Sequence, residues 1–158
     1  MGLIDRIDVQ NDPVNFIDPE GLNSVNIAVM RLIAQGNFAD AAALAGGAMA
    51  PKIAQLPNTI ASAINKYPAS SFNCDKLASK VYDAFKAIGA DPRIITISDK
   101  FKAQYFSTSN GVQFAQSGYH KAVQVGDKVY DAITGPAGME MAKYVSTLES
   151  YGIIPVIK

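Results

Sequence analysis

Cysteine and histidine each occur once in the 158 residues, as Cys74 and His120. A single cysteine excludes an internal disulfide framework and any cysteine-rich metal site. There is no His/Cys cluster of ligand spacing and no Gly-rich strand-to-helix loop for a phosphate, so neither a metal nor a cofactor is expected. Charge is sparse too. Charged residues make up 18% of the chain and the formal net charge is zero. A nucleic-acid binder normally carries a basic surplus to neutralise phosphates, so a nucleic-acid partner is not expected. Long hydrophobic runs are missing as well. The best candidate, Phe38 to Ala50, contains Asp40 and falls short of the roughly 18–20 apolar residues that a membrane span needs, so no stable span is expected. The N-terminus, MGLIDRIDVQ, has no basic start followed by an apolar block, so a Sec-type signal is not expected. If the protein leaves its cell, another route carries it.

What is present is ample apolar material, 49% of the residues, enough for one ordinary domain with a short appendage. Three regions differ in texture, and no internal repeat is visible. Residues 1–22 are turn-rich, with Asn11-Asp12-Pro13 and Asp18-Pro19-Glu20-Gly21. Residues 23–67 are Ala-rich and read as a helical linker or N-terminal subdomain. Ser24 is a candidate cap for a helix over Val25–Ala34, Gly36 breaks it, Phe38–Ala50 reads as a second helix stopped by Pro51, and Asn58–Lys66 as a third.

Residues 68–158 read as an α+β domain. Asn73 is placed to cap a helix running from Cys74 to about Ile88, with Leu77, Val81, Phe85 and Ile88 as its apolar stripe and Gly89 as its stop. Arg93–Ile97 is β-branched and strand-like, and residues 99–117 are polar and loop-like, long enough for a substrate loop. Tyr119–Val125 and Lys128–Ile133 alternate about a Gly126-Asp127 turn, which is a hairpin signal. A helix over Met139–Ser150 and a strand over Ile153–Ile157 complete the chain.

The two singular residues fall where thiol chemistry needs them. A thiolate is the attacking form of cysteine, and a helix N-terminus lowers the thiol pKa through free N–H groups and the helix dipole. Cys74 sits at such a point, three residues before Leu77 and on the same side as the buried stripe. The thiolate also needs a base, and the base an orienting group. In a hairpin with a two-residue turn, Val125 pairs with Lys128 and Ala122 with Asp131, and His120 opposes Ile133. His120 and Asp131 then share one face as diagonal neighbours, ~7–8 Å apart at the backbone. Asp131 is thereby placed to fix the imidazole tautomer. Asn73, or the Cys74 backbone N–H, is an oxyanion candidate. Gln113, Gln116, Gln124 and Tyr119 are weaker candidates for polar or cleft-lining roles.

Two resemblances add to this. Asn11-Asp12-Pro13-Val14-Asn15-Phe16-Ile17-Asp18-Pro19-Glu20-Gly21-Leu22 resembles the end of an Rhs/YD-repeat core, where this signature joins a conserved shell to a variable C-terminal toxin. It implies self-cleavage of the shell between Leu22 and Asn23, by protease residues that this chain lacks. The segments Phe72–Ala78, Gly118–Val125 and Val129–Asp131, within about Phe72–Ser150, resemble papain-fold toxins at polymorphic-toxin C-termini. That likeness implies a papain-like cysteine hydrolase core, a Cys-bearing helix packed on a small antiparallel sheet, with Cys74 as nucleophile, His120 as base and Asp131 as its partner. It further implies an interbacterial effector, exported without a Sec signal, as through type VI secretion, and delivered to a target cell's cytoplasm. Its expected partners are the Rhs shell before cleavage, a target-cell protein whose amide it cleaves or deamidates, and a cognate immunity protein. The alternative is a non-catalytic toxin or interaction module acting through helices 25–66.

Overall fold

The computed structural model describes residues 22–158. Among them are six α-helices: α1 (Leu22–Ala34), α2 (Phe38–Ala45), α3 (Met49–Ala54), α4 (Leu56–Lys66), α5 (Cys74–Ala87) and α6 (Met141–Ser150). The strands are β1 (Arg93–Asp99), β2 (Phe106–Ser107), β3 (Gln113–Ala115), β4 (Tyr119–Val125), β5 (Lys128–Tyr130), β6 (Met139–Glu140) and β7 (Pro155–Ile157). The protein is α+β. The turn-rich segment 1–21, with most of the Rhs-like signature, lies outside the described residues. Leu22 and Asn23, at the expected cleavage junction, open α1.

The chain divides into two compact units. One comprises α1, except its last residue, with α2 and α3; the other is chiefly Gln55–Lys158. In the first, the helix expected over Phe38–Ala50 stops earlier, at Ala45. Gly46 and Gly47 both take left-handed backbone angles (φ 63 and 55), which glycine adopts without steric penalty. Pro51 does not end a helix. It lies in the first turn of α3, where its missing N–H would have had no helical partner.

The second unit begins upstream of the expected boundary because α4 packs against α5. Its sheet runs β6-β5-β4-β1-β7 with every neighbouring pair antiparallel, and β2-β3 form a separate ribbon. The hairpin register is the expected one: Val125 faces Lys128 and Val123 faces Tyr130. Gly126, at φ 59 in the first turn position, suits the two-residue turn. The second strand is shorter than expected. It ends at Tyr130 and not at Ile133, because Asp131 turns the backbone. Asp131 Oδ1 accepts the N–H groups of Ile133 and Thr134, both at 2.8 Å, and Thr134 Oγ1 accepts the Asp131 N–H at 2.9 Å. This is the local side-chain bonding by which Asp and Thr compete with a ladder.

Residues 99–117 are not wholly loop. Phe106 and Phe114 of the β2-β3 ribbon are fully buried in one cluster with Ile95, Ile97, Ala122, Val129, Tyr144 and Leu148. Their burial, worth on the order of 1.5–3 kcal/mol each, outweighs the polarity of the residues around them. At the C-terminus, Met139–Glu140 pair with β5 before α6 begins, and the last strand starts at Pro155, since Ile153 is buried in the core and the Ile154 N–H bonds to Asp99 Oδ1. α5 lies on β4 and β1, and its stripe of Leu77, Val81 and Phe85 is buried.

Two glycines after β5 separate backbone strain from packing. Gly135 (φ 75) and Gly138 (φ 71) share a left-handed backbone, but a Cβ on Gly135 meets open space, while one on Gly138 would lie 2.6 Å from the Tyr130 ring. Gly135→Ala is expected to lose about 1–2 kcal/mol, from backbone strain alone. Gly138→Ala should lose a further ~1–3 kcal/mol from the clash. Urea denaturation of the two variants checks the difference.

Candidate active site

Cys74 begins α5 after an abrupt reversal. Pro68 is followed by a single 3-10 turn, Ala69–Ser71, held by Ser71 Oγ donating to the Pro68 carbonyl at 2.6 Å. Phe72 then takes a left-handed conformation, φ 57. That is uncommon for a bulky residue and typical of strain kept at a functional site. Asn73 occupies the N-cap position, but its ψ of 40 lies outside the extended range and its side chain makes no capping hydrogen bond. The first intrahelical bond runs from the Leu77 N–H to the Asn73 carbonyl at 3.0 Å. The N–H groups of Cys74, Asp75 and Lys76 therefore remain as helix-end donors around the thiol.

His120 lies on β4, opposite Ile97 of β1. It does not face Ile133 across a ladder, because β5 has already ended. The turn at Asp131 brings the carboxylate back toward the strand instead, and His120 Nε2 lies 2.9 Å from Asp131 Oδ2. Both residues are buried, at 3% and 1% exposure. The ring of Phe114 packs edge-on against the imidazole, with centroids 5.1 Å apart. Nε2 is engaged by Asp131, so Nδ1 is the nitrogen left for the thiol. Nδ1 is buried without a close, well-aligned hydrogen-bond partner, while Cys74 couples to the imidazole electrostatically. No close, aligned hydrogen bond joins the sulfur to Nδ1, and the two groups act on each other through charge.

The early end of β5 has a second consequence. In an antiparallel hairpin of this register, residues 125, 123 and 121 turn their N–H groups toward β5. β5 is gone by the level of Lys121, whose backbone N–H is left to draw the Cys74 thiol down.

The electrostatics follow from these contacts. Burial pushes the Cys74 thiol up, but the nearby imidazole, the Lys121 N–H and the charge of His120 outweigh it and bring the thiol below its ordinary value. Burial pushes His120 down, yet its bond to Asp131, the nearby Cys74 sulfur and the negative charge of both lift it to about 9. Burial also opposes ionisation of Asp131, and is overcome by His120, Tyr144 and the Thr134 N–H, so the carboxyl lies below its ordinary value. The lowered thiol and the raised imidazole each favour the charged form, beside a carboxyl that is also held charged.

Sequence reasoning missed two members. Tyr144, fully buried on α6, donates its hydroxyl to Asp131 Oδ2 at 2.6 Å. Its spacing of four from Leu148 marks it as a core position, and a buried tyrosine hydroxyl requires a partner. That signal was in the sequence, though not the partner's identity. The Lys121 amide carried no signal in its residue type. The weaker candidates have other engagements. Gln124 accepts from Arg93 Nη2 and donates to the Gly126 carbonyl, and Gln113 donates to the Ala115 carbonyl. Gln116 is exposed. The Tyr119 hydroxyl donates to Asp75 at 3.2 Å. Among the described residues, no group of three His, Cys, Asp or Glu is placed to hold a metal ion, and no helix is long and apolar enough to cross a membrane.

No protein-family model, curated protein or solved structure matches the chain.

Two outcomes test the array. His120→Ala should move the Cys74 alkylation midpoint by iodoacetamide upward, toward or above the ~8.5 of a free thiol. Asp131→Ala leaves a buried histidine and two backbone N–H groups without their acceptor, and should destabilise the fold by ~3–5 kcal/mol in denaturant titration. The raised value of His120 implies a stabilising contribution fully present below the ordinary 6.5 and lost as the pH rises through about 9.

Proposed function

We propose that the protein is a thiol hydrolase with a papain-like core, acting as an interbacterial toxin on an amide bond of a target-cell protein. The observation that carries this reading is the buried hydrogen bond between His120 and Asp131, on an imidazole coupled to a thiol at a helix N-terminus. A merely structural cysteine has no need of a charged base, nor a base of a buried carboxylate.

The chemistry follows from the residues. The Cys74 sulfur attacks the carbonyl carbon, forming a C–S bond as the C=O electron pair moves to oxygen. The oxyanion is held by helix-end N–H groups, the Cys74 N–H foremost. His120 gives its Nδ1 proton to the departing amine, the C–N bond breaks, and a thioester remains. His120 then takes a proton from water as the hydroxide attacks the thioester, the C–S bond breaks, and the acid departs and loses its proton to solvent, restoring the thiolate and imidazolium. Asp131 keeps Nε2 protonated throughout and remains a carboxylate itself. Peptide cleavage, glutamine deamidation and amine transfer share this acyl-enzyme path and differ in the departing or accepting group.

The toxin reading rests on the Rhs-like signature at 11–22. With it come the proposed partners: the shell before cleavage at Leu22–Asn23, and an immunity protein seated over Cys74. The test is growth of a bacterial host expressing the chain. The wild type is expected to arrest growth, and Cys74→Ala and His120→Ala to relieve the arrest. Equal arrest by all three would overturn the catalytic reading and assign the toxicity to the helices within 25–66.

A further inference from the structure

Tyr144 has no step in the chemistry just proposed, yet it is wholly buried and bonded to the site. Its hydroxyl donates to Asp131 Oδ2 at 2.6 Å, the same oxygen that lies 2.9 Å from His120 Nε2. Oδ1 is occupied by the N–H groups of Ile133 and Thr134. Oδ2 therefore divides its electron density between two donors, and the tyrosine is the nearer. A core tyrosine can satisfy its hydroxyl on any free carbonyl; this one meets the oxygen that holds the histidine. The bond is fixed by packing, because Leu148, one turn along α6, is also fully buried and sets the helix rotation.

We infer that Tyr144 is a positioning residue that sets how tightly Asp131 holds His120, and so how readily His120 releases its proton in turnover. The inference rests on reading Cys74, His120 and Asp131 as the working site. A neutral donor on a buried carboxylate draws negative charge away from the imidazolium, and in a low-dielectric interior that effect is strong. Without it, Asp131 would hold the imidazolium proton more firmly, making His120 a poorer acid toward a departing amine. The groups facing His120 are Cys74 from α5, Asp131 from the turn after β5, and the uncharged Phe114 ring from β3. Tyr144 stands behind Asp131, with Tyr151 beside it, and Asp75 holds Tyr119 next along β4.

The test uses the fact that the chain has one histidine, so its imidazole carbon resonance in NMR titrates without overlap. In the full chain, Tyr144→Phe keeps the ring and removes the donor. The His120 midpoint should rise by about 0.5 pH units or more. Incorporating 3-fluorotyrosine at position 144 supplies a stronger donor of nearly the same size, and the midpoint should fall. A midpoint unmoved in both, whatever happens to the melting temperature, overturns the inference, as does a shift of the same sign in both. His120→Ala, read by iodoacetamide alkylation of Cys74 against pH, distinguishes the two levels. If it leaves the thiol profile unchanged, the site reading fails and this inference with it. If the thiol profile moves while both changes at 144 leave His120 unmoved, only the role of Tyr144 fails.

Discussion

Asp131 is buried and ionised, so each hydrogen bond that keeps it charged has to come from within the fold. Four donors meet it: the backbone N–H groups of Ile133 and Thr134, the Tyr144 hydroxyl and the His120 ring. Two of these bonds are local and end β5. The other two are long-range and tie α6 and β4 to that ending. One carboxylate thus terminates a strand, anchors a helix and orients a histidine.

The ending of β5 is also what admits the thiol. Had the ladder continued to Ile133, the Lys121 N–H would have been consumed by a strand partner. Instead it is left to the sulfur at the start of α5. The reversal before α5 adds to the effect, since a left-handed Phe72 and an Asn73 without a side-chain cap bring Cys74 to the helix end with its N–H groups uncommitted. Local irregularities of about 1–3 kcal/mol are sustained because the apolar stripe of α5 is buried against the sheet and over-determines them.

The apolar cluster shapes the electrostatics around His120 as well as the fold. Phe114 closes one side of the imidazole, and Ile97 and Ala122 lie in the same buried layer. In such surroundings an isolated charge is unfavourable by several kcal/mol, whereas a chain of alternating charges with satisfied hydrogen bonds is tolerated. This explains why His120 rises and Cys74 falls together although burial acts against both charges.

Much of this was legible in the sequence, because the deciding signals are local. A helix opening at Cys74 follows from the apolar spacing of Leu77, Val81 and Phe85, and the hairpin register from a turn containing Gly126 between two alternating runs. That register brings the chain to Asp131 at the level of Ala122, but the turn Asp131 makes there, and not a continued ladder, carries its carboxylate to His120. Tertiary structure decided the remainder. The buried aromatics Phe106 and Phe114 turn a polar stretch into part of the core, since burial of apolar surface is non-local and overrides composition. The Tyr144 hydroxyl and the Lys121 N–H enter the site through contacts between elements far apart in the chain. No periodicity encodes such contacts; they exist only where packing brings the donors to Asp131 and Cys74.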